Sequence, residues 1–339
     1  MRWMTAEWQN KARIGLTSIA GVVAVIASLD SLASGGEPPL TAKQSASSVT
    51  VFAGKQPVAS YVFGDDVFAD DKIARPFYAH VFTSDGIAVT RNHPPKAGEP
   101  ADHADMHPGI WLAFGDLSGH DFWRNKGRVR HVEFLAEPKA EENRISFSVR
   151  NEYVVPLQGG EKRIANETCR HTWRLQDGNL LLTLDSEFAS ADPTQPLLFG
   201  DQEEMGLGVR VASPLRVKDA GGEIRTSAGQ RNEKEAWGQQ AQWCDYRSTM
   251  GGREVGIALM THPDNFRASW FHVRDYGLMV ANPFGQNAFT GKEKSRVEVK
   301  PGEKLRLRFG VWIHTGKEMD DKTPSKAYTT YLVNAESRK

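Results

Sequence analysis

The sequence predicts an all-β protein, a large antiparallel β-sandwich with a short C-terminal helix. Three observations predict it. Ile145-Ser-Phe147-Ser-Val149, Val297-Glu-Val299 and Leu305-Arg-Leu307-Arg-Phe309 before Val311-Trp312-Ile313 alternate apolar and polar residues, as a half-buried strand requires. Turn pairs punctuate such runs at Asp85-Gly86, Asp177-Gly178, Gly221-Gly222, Gly251-Gly252 and Pro301-Gly302. Helical periodicity is scarce, and its best case is Ser325 to Ser337, with Ser325 as the expected cap. Further strands are expected near 48–63, 76–83, 109–115, 128–136, 162–175, 180–188, 205–213, 255–261 and 268–281. So many strands without alternating helices exclude a doubly wound parallel sheet, and the lack of a repeat period weighs against a propeller. No linker divides the body, so residues 48–339 read as one domain.

The N-terminus reads as an address. Arg2, Lys11 and Arg13 precede the apolar run Ile14–Leu29, followed by Ser31, Ala33, Ser34, Gly35, Gly36, Pro38 and Pro39. That basic, apolar, small-residue order is that of a secretory signal peptide, and the run is short of the ~20 residues of a membrane span. The expectation is a leader over 1–36, a flexible mature N-terminus over 37–47, and a periplasmic or secreted protein. It would be membrane-tethered if the leader stays uncleaved, and would have no membrane contact once the leader is removed. An exported chain could bridge Cys169 to Cys244, or keep two separate buried thiols. With 42 Lys+Arg against 42 Asp+Glu and no basic stripe, nucleic acid is excluded as a partner.

The chemistry-bearing residues concentrate in three segments. The first runs Arg91-Asn92-His93-Pro94-Pro95, Asp102-His103-Ala104-Asp105-Met106-His107-Pro108-Gly109 and His120-Asp121-Phe122-Trp123-Arg124-Asn125. Imidazoles titrate near neutral pH, and nearby carboxylates fix their tautomers. His103 and His107, spaced i, i+4, could also share a divalent metal, although no HExxH glutamate accompanies them. The second segment, Asp201-Gln202-Glu203-Glu204, crowds carboxylates before a strand, which raises one pKa and suits acid–base work. In the third, Trp270, His272 and Arg274 share one strand face ahead of Asn282, a surface suited to the CH faces and hydroxyls of sugars. Nucleophile elbows, P-loops and dinucleotide fingerprints are absent.

Several of these motifs resemble a family of secreted bacterial proteins labelled PmoA-like or "methane oxygenase". They are Asn92-His93-Pro94, Asp102-His103, His107-Pro108-Gly109-Ile110-Trp111-Leu112-Ala113-Phe114-Gly115-Asp116, Asp121-Phe122-Trp123, Asp201–Arg210, and His272–Gly277 with Ala281–Gly285. The resemblance spans roughly residues 75–315. The expected architecture is similar to the galactose-mutarotase-like β-supersandwich, a scaffold of carbohydrate epimerases, lyases and hydrolases. It implies imidazole acids and a carboxylate base, here His93 and His107 with Glu203 and Glu204. Arg91, Asn92, Trp123, Asn125, Asp201, His272, Arg274 and Asn282 would then bind the substrate. The leading expectation is a carbohydrate-active enzyme, an epimerase, lyase or hydratase, or hydrolase, acting on a sugar or keto-glycoside. The alternatives are a non-catalytic glycan-binding sandwich and a metal-dependent oxygenase using His103 and His107.

Overall fold

The computed structural model describes residues 37–64, 73–317 and 322–336. The leader expected over 1–36 lies outside the described residues. Alternation becomes strands β1 Leu40–Gln44, β2 Ser48–Ala53, β3 Gln56–Val62, β4 Phe77–Ala79, β5 Ile110–Phe114, β6 Arg128–Glu141, β7 Arg144–Leu157, β8 Gly160–Gln176, β9 Asn179–Ser190 and β10 Leu197–Phe199. Then follow β11 Met205–Arg210, α1 Val217–Ala220, β12 Glu223–Thr226, α2 Asn232–Ala236, β13 Gln239–Gln240, β14 Trp243–Met250, β15 Arg253–Thr261, β16 Trp270–Arg274 and β17 Leu278–Asn282. The chain continues through α3 Gln286–Thr290, β18 Val297–Val299, β19 Leu305–Gly316 and α4 Lys322–Glu336.

Two antiparallel sheets carry the architecture. One runs β1-β2-β3-β4-β5-β11-β17-β16-β13, the other β12-β14-β15-β19-β9-β8-β7-β6, and β10 pairs with β18 separately. Their facing sides form the main core, with Ile110, Phe114, Leu207 and Phe271 from the first sheet and Phe147, Trp173, Leu182 and Val311 from the second. The all-β sandwich with its C-terminal helix is therefore the fold. Cys169 and Cys244 are two buried free thiols, so no bridge joins them.

Local differences have physical reasons. The segment 37–47, expected to be flexible, contains β1, which pairs with β2 from Leu40↔Ala53 to Gln44↔Val49. Leu40 is buried in the core, and that anchors the strand. The long runs 48–63 and 268–281 are each two strands, because Gly54 and Gly277 adopt positive φ (58° and 105°) and turn the chain. Helix α4 starts at Lys322, so Ser325 lies inside its first turn and is not its cap.

Both outer faces are covered too. On the second sheet, Tyr328 and Tyr331 of α4 pack on Leu181, Trp243, Met260 and Trp312. Tyr331 lies over Gly310, where an added Cβ would meet the ring at 2.9 Å. Tyr331→Ala should therefore cost about 3–5 kcal/mol, the usual range for emptying a buried aromatic site. Denaturant unfolding at constant m-value checks this, and a loss below about 1 kcal/mol would mean that α4 contributes little.

Candidate functional site

The outer face of the first sheet is built from one row of paired residues. Phe77 pairs with Trp111, Trp111 with Gly208, Gly208 with Val280, and Val280 with His272. Strand pairing puts all five on the same side, away from the core. Gly208 has to be small, because a Cβ there would meet the Trp111 indole at 2.6 Å. The indole lies across it, and the His107 ring stacks on Trp111 at 5.2 Å. Trp123 completes the corner, 5.2 Å from Trp111 in an edge arrangement.

Loops 80–109 and 115–127 roof this corner, and buried arginines pin them there. Arg75 donates to the Phe122 and Trp123 carbonyls at 3.2 and 2.9 Å, to Asn125 Oδ1 at 2.7 Å, and to the Met106 carbonyl. Arg91 donates to the carbonyls of Pro100, Asp102 and His107 at 3.1, 2.8 and 3.0 Å. Arg210 donates from Nη2 to Asp102 at 2.7 Å, and its guanidinium sits 4.6 Å from the Tyr276 ring. Burial lowers the Arg75 pKa to about 9 and that of Arg91 to about 10, and both groups stay charged at neutral pH. Three guanidiniums thus surround the histidines, with Asp102 as the carboxylate bonded to one of them.

These surroundings fix the protonation of the imidazoles. Trp123 Nε1 can only donate, so its 3.1 Å contact makes His107 Nε2 an acceptor and places the proton on Nδ1. Burial, then the neighbouring His103 and the arginines, hold the His107 pKa far below the ordinary range. Burial and Arg91 bring His93 down to about 4. Both rings are only 1% exposed. They brace the aromatic corner as neutral imidazoles. A direct His107–Glu204 pair is likewise not formed, because His107 is bonded to Trp123 and Glu204 to Arg124.

A second cluster occupies the other end of the row. Trp111 and His272 are three strand steps apart, about 14 Å at ordinary strand spacing. Arg274 Nε donates to His272 Nε2 at 3.0 Å, so His272 Nδ1 carries the proton and donates to the Glu203 carbonyl at 3.3 Å. Burial and Arg274 lower the His272 pKa to about 4. Arg274 also reaches Glu233 at 2.9 Å and Glu203 at 3.4 Å, while its guanidinium lies 5.6 Å from the Trp237 ring. Asn282 donates to the Gln202 and Glu203 carbonyls at 2.7 and 3.1 Å and fixes the backbone that presents Glu203 and Glu204. Tyr276 stands between the two ends, close to Arg210 and 6.2 Å from His103. Its phenol is raised by burial and also feels the charges of Arg274 and Glu233 from the far cluster.

The predicted residues therefore divide. Glu203, partly exposed Glu204, Arg274 and half-exposed His103 line the accessible face, while His272 is buried behind Arg274. Several others hold the scaffold. Asn125 bonds Arg75, Asn92 donates to Glu99 at 2.8 Å, and Asp201 accepts from the backbone of Asn287, Ala288 and Ser295. Arg91 and Trp123 are bonded within the scaffold in the same way. Sequence reasoning missed Arg210 and Glu233. Arg210 had a readable signal, since it continues the Gly206, Gly208 alternation on the same face. Glu233 had none, because α2 meets Arg274 only through the fold. Around His103 and His107 no metal set forms, for no three His, Cys, Asp or Glu converge among the described residues. A resident metal does not fit there.

Two outcomes are expected. Gly208→Ala should displace Trp111 and cost about 1–3 kcal/mol, with a changed near-ultraviolet dichroism. His93 and His272 have folded pKa values lowered to about 4 from an unfolded value near 6.5. The unfolded chain therefore binds protons first as pH falls, and stability should drop from about pH 6.5 towards 4 and be fully kept above that window. Imidazole resonances of either residue titrating above pH 6 would contradict this.

A chain with this geometry can be compared with known proteins. It is similar to the solved galactose mutarotase-like protein of Lactobacillus casei ATCC 334, at 12% identity over 81% of this chain and 100% of that one, with a TM-score of 0.35. The galactose mutarotase-like protein of Clostridium acetobutylicum gives 9% identity over 82% and 95%, with a TM-score of 0.36. The galactose mutarotase related enzyme of Lactobacillus acidophilus gives 12% over 81% and 97%, with a TM-score of 0.32. No curated protein matches the chain significantly. The match to a family of unknown function, DUF6807, extends over residues 48–328, and the chain belongs to that family.

Proposed function

We propose that the outer face of the first sheet is a carbohydrate site, and that its acid–base chemistry is run by the accessible carboxylates Glu203 and Glu204. The observation that carries this reading is the placement of Tyr276 between the two clusters, next to Arg210 and within the field of Arg274 and Glu233. With half-buried Tyr276 and Trp237, Arg274, Glu233 and Glu203 make one polar and aromatic surface above a buried scaffold of indoles and guanidiniums. Sugars suit such a surface, with CH faces for aromatic rings and hydroxyls for charged and amide groups.

The roles follow from exposure and bonding. Glu203 is partly exposed, and its backbone is fixed by Asn282 and His272, so its carboxylate is the better base. Glu204, held by Arg124, is the second. His103 is half exposed, 3.7 Å from Asp102, and is the imidazole able to reach a ligand. Arg210 and Arg91 set a positive field that would stabilise negative charge developing on a sugar oxygen. Epimerisation, elimination or hydration, and hydrolysis all use that combination. Export to the periplasm or beyond, read from the basic and apolar leader, fits a protein that meets glycans outside the cytoplasm. The PmoA-like resemblance rests on sequence motifs, and among the described residues no three His, Cys, Asp or Glu converge to hold the metal that an oxygenase would need.

Glu203→Gln and Glu204→Gln should each lower turnover on the responsive member of a glycoside and keto-glycoside panel by at least about 100-fold, the usual size of a general acid or base contribution. His107→Ala should act mainly on stability. Unchanged turnover in both carboxamide variants would refute the assignment, and binding without turnover in any protein would favour the glycan-binding sandwich.

A further inference from the structure

The opposite side of the molecule holds a cleft that the proposed site does not use. It lies between the outer face of the second sheet and the first turns of α4, with a volume of about 200 Å³. Its floor follows another paired row, Arg174 to Leu181 to Trp312 across β8, β9 and β19. Its wall is the helix face of Thr323, Ala327 and Thr330, whose spacing of three to four residues puts them on one side of α4. These short side chains stop above Trp312, whereas Tyr328 and Tyr331 reach the sheet further along. The space is thus left by the sequence of the helix.

The groups lining the space are unusual. Arg174 makes no hydrogen bond or ion pair among the described residues, and its Nε is buried without a partner. Lys326 enters from the helix, equally unpaired. The Gln176 amide, at the end of β8, is also unbonded. Among the described residues Asp177 is the carboxylate lining the cleft, with Glu142 and Arg144 also acting on Arg174, so the lining carries two cations to one anion. A half-buried guanidinium without an acceptor costs free energy that an anionic ligand would recover. The volume selects the ligand's size. A cavity of about 150 Å³ holds one benzene ring, so this cleft takes one six-membered ring with its substituents. Trp312 and Leu181 offer that ring an apolar side, and the Gln176 amide and the Thr330 hydroxyl offer partners for hydroxyls.

We infer that this cleft is a second binding site, which takes a monosaccharide bearing one carboxylate. The carboxylate lies between Arg174 and Lys326, and the ring lies against Trp312. The inference is independent of the acid–base site, which occupies the other sheet.

The test is isothermal titration of the full chain with D-glucuronate, with D-glucose as its neutral counterpart and sulfate as a bare anion. It is run on the wild type, on Glu203→Gln and on the Arg174→Gln/Lys326→Gln double variant, with thermal unfolding to confirm that each is folded. Glucuronate should bind the wild type and Glu203→Gln equally, and at least tenfold more tightly than glucose or sulfate. The double variant should lose at least tenfold in affinity. Equal affinity in the double variant, no binding of glucuronate, or sulfate binding as tightly as glucuronate would each overturn the proposal. A single Arg174→Lys protein that restores binding would support charge recognition over a folding effect.

Discussion

The close approach of the Trp111 indole to Gly208 is the contact on which the candidate site depends. A flat indole lying across a strand leaves no room for a Cβ beneath it, and the 2.6 Å clearance shows how little there is. Once Trp111 lies there, His107 can stack on it and Trp123 can bond His107. The loops that carry those residues are then drawn over the sheet, where Arg75 and Arg91 fasten them by their carbonyls. One missing side chain thus helps to organise the loops 80–109 and 115–127, which would otherwise bury unsatisfied carbonyls.

The same packing explains why the histidines do not behave as their spacing suggests. A buried imidazole among guanidiniums is neutral across the physiological range, because desolvation and positive charge both oppose its protonation. His93, His107 and His272 obey this rule, each with burial as the larger cause. The groups nearer the solvent are the glutamates at the rim and His103.

The two sheets use their outer faces differently. The first covers its outer face with loops and accumulates charge there, while the second covers its own with a helix whose aromatic residues seal most of the contact. Where α4 presents short side chains, the seal is incomplete and Arg174 is left without an acceptor. Both faces thus combine an indole with guanidinium groups, although they share no residues.

Alternation and glycine turns by themselves determined the all-β sandwich and the strands at Ile145–Val149 and Leu305–Ile313, because period-2 burial is a local property of each strand. The neighbourhood of the site was also legible, since rigid, titratable residues were crowded into 91–125, 201–204 and 270–282. Which of those side chains face a ligand was decided only by tertiary structure. Asp201 and Asn125 look like ligand groups in a string of letters, yet three backbone amides claim the first and Arg75 the second. Glu233 and Arg174 gave no local sign, because their importance comes from partners, or the lack of one, on elements far away in the chain. Hydrogen-bond satisfaction is a property of the folded whole, and no reading of spacing supplies it.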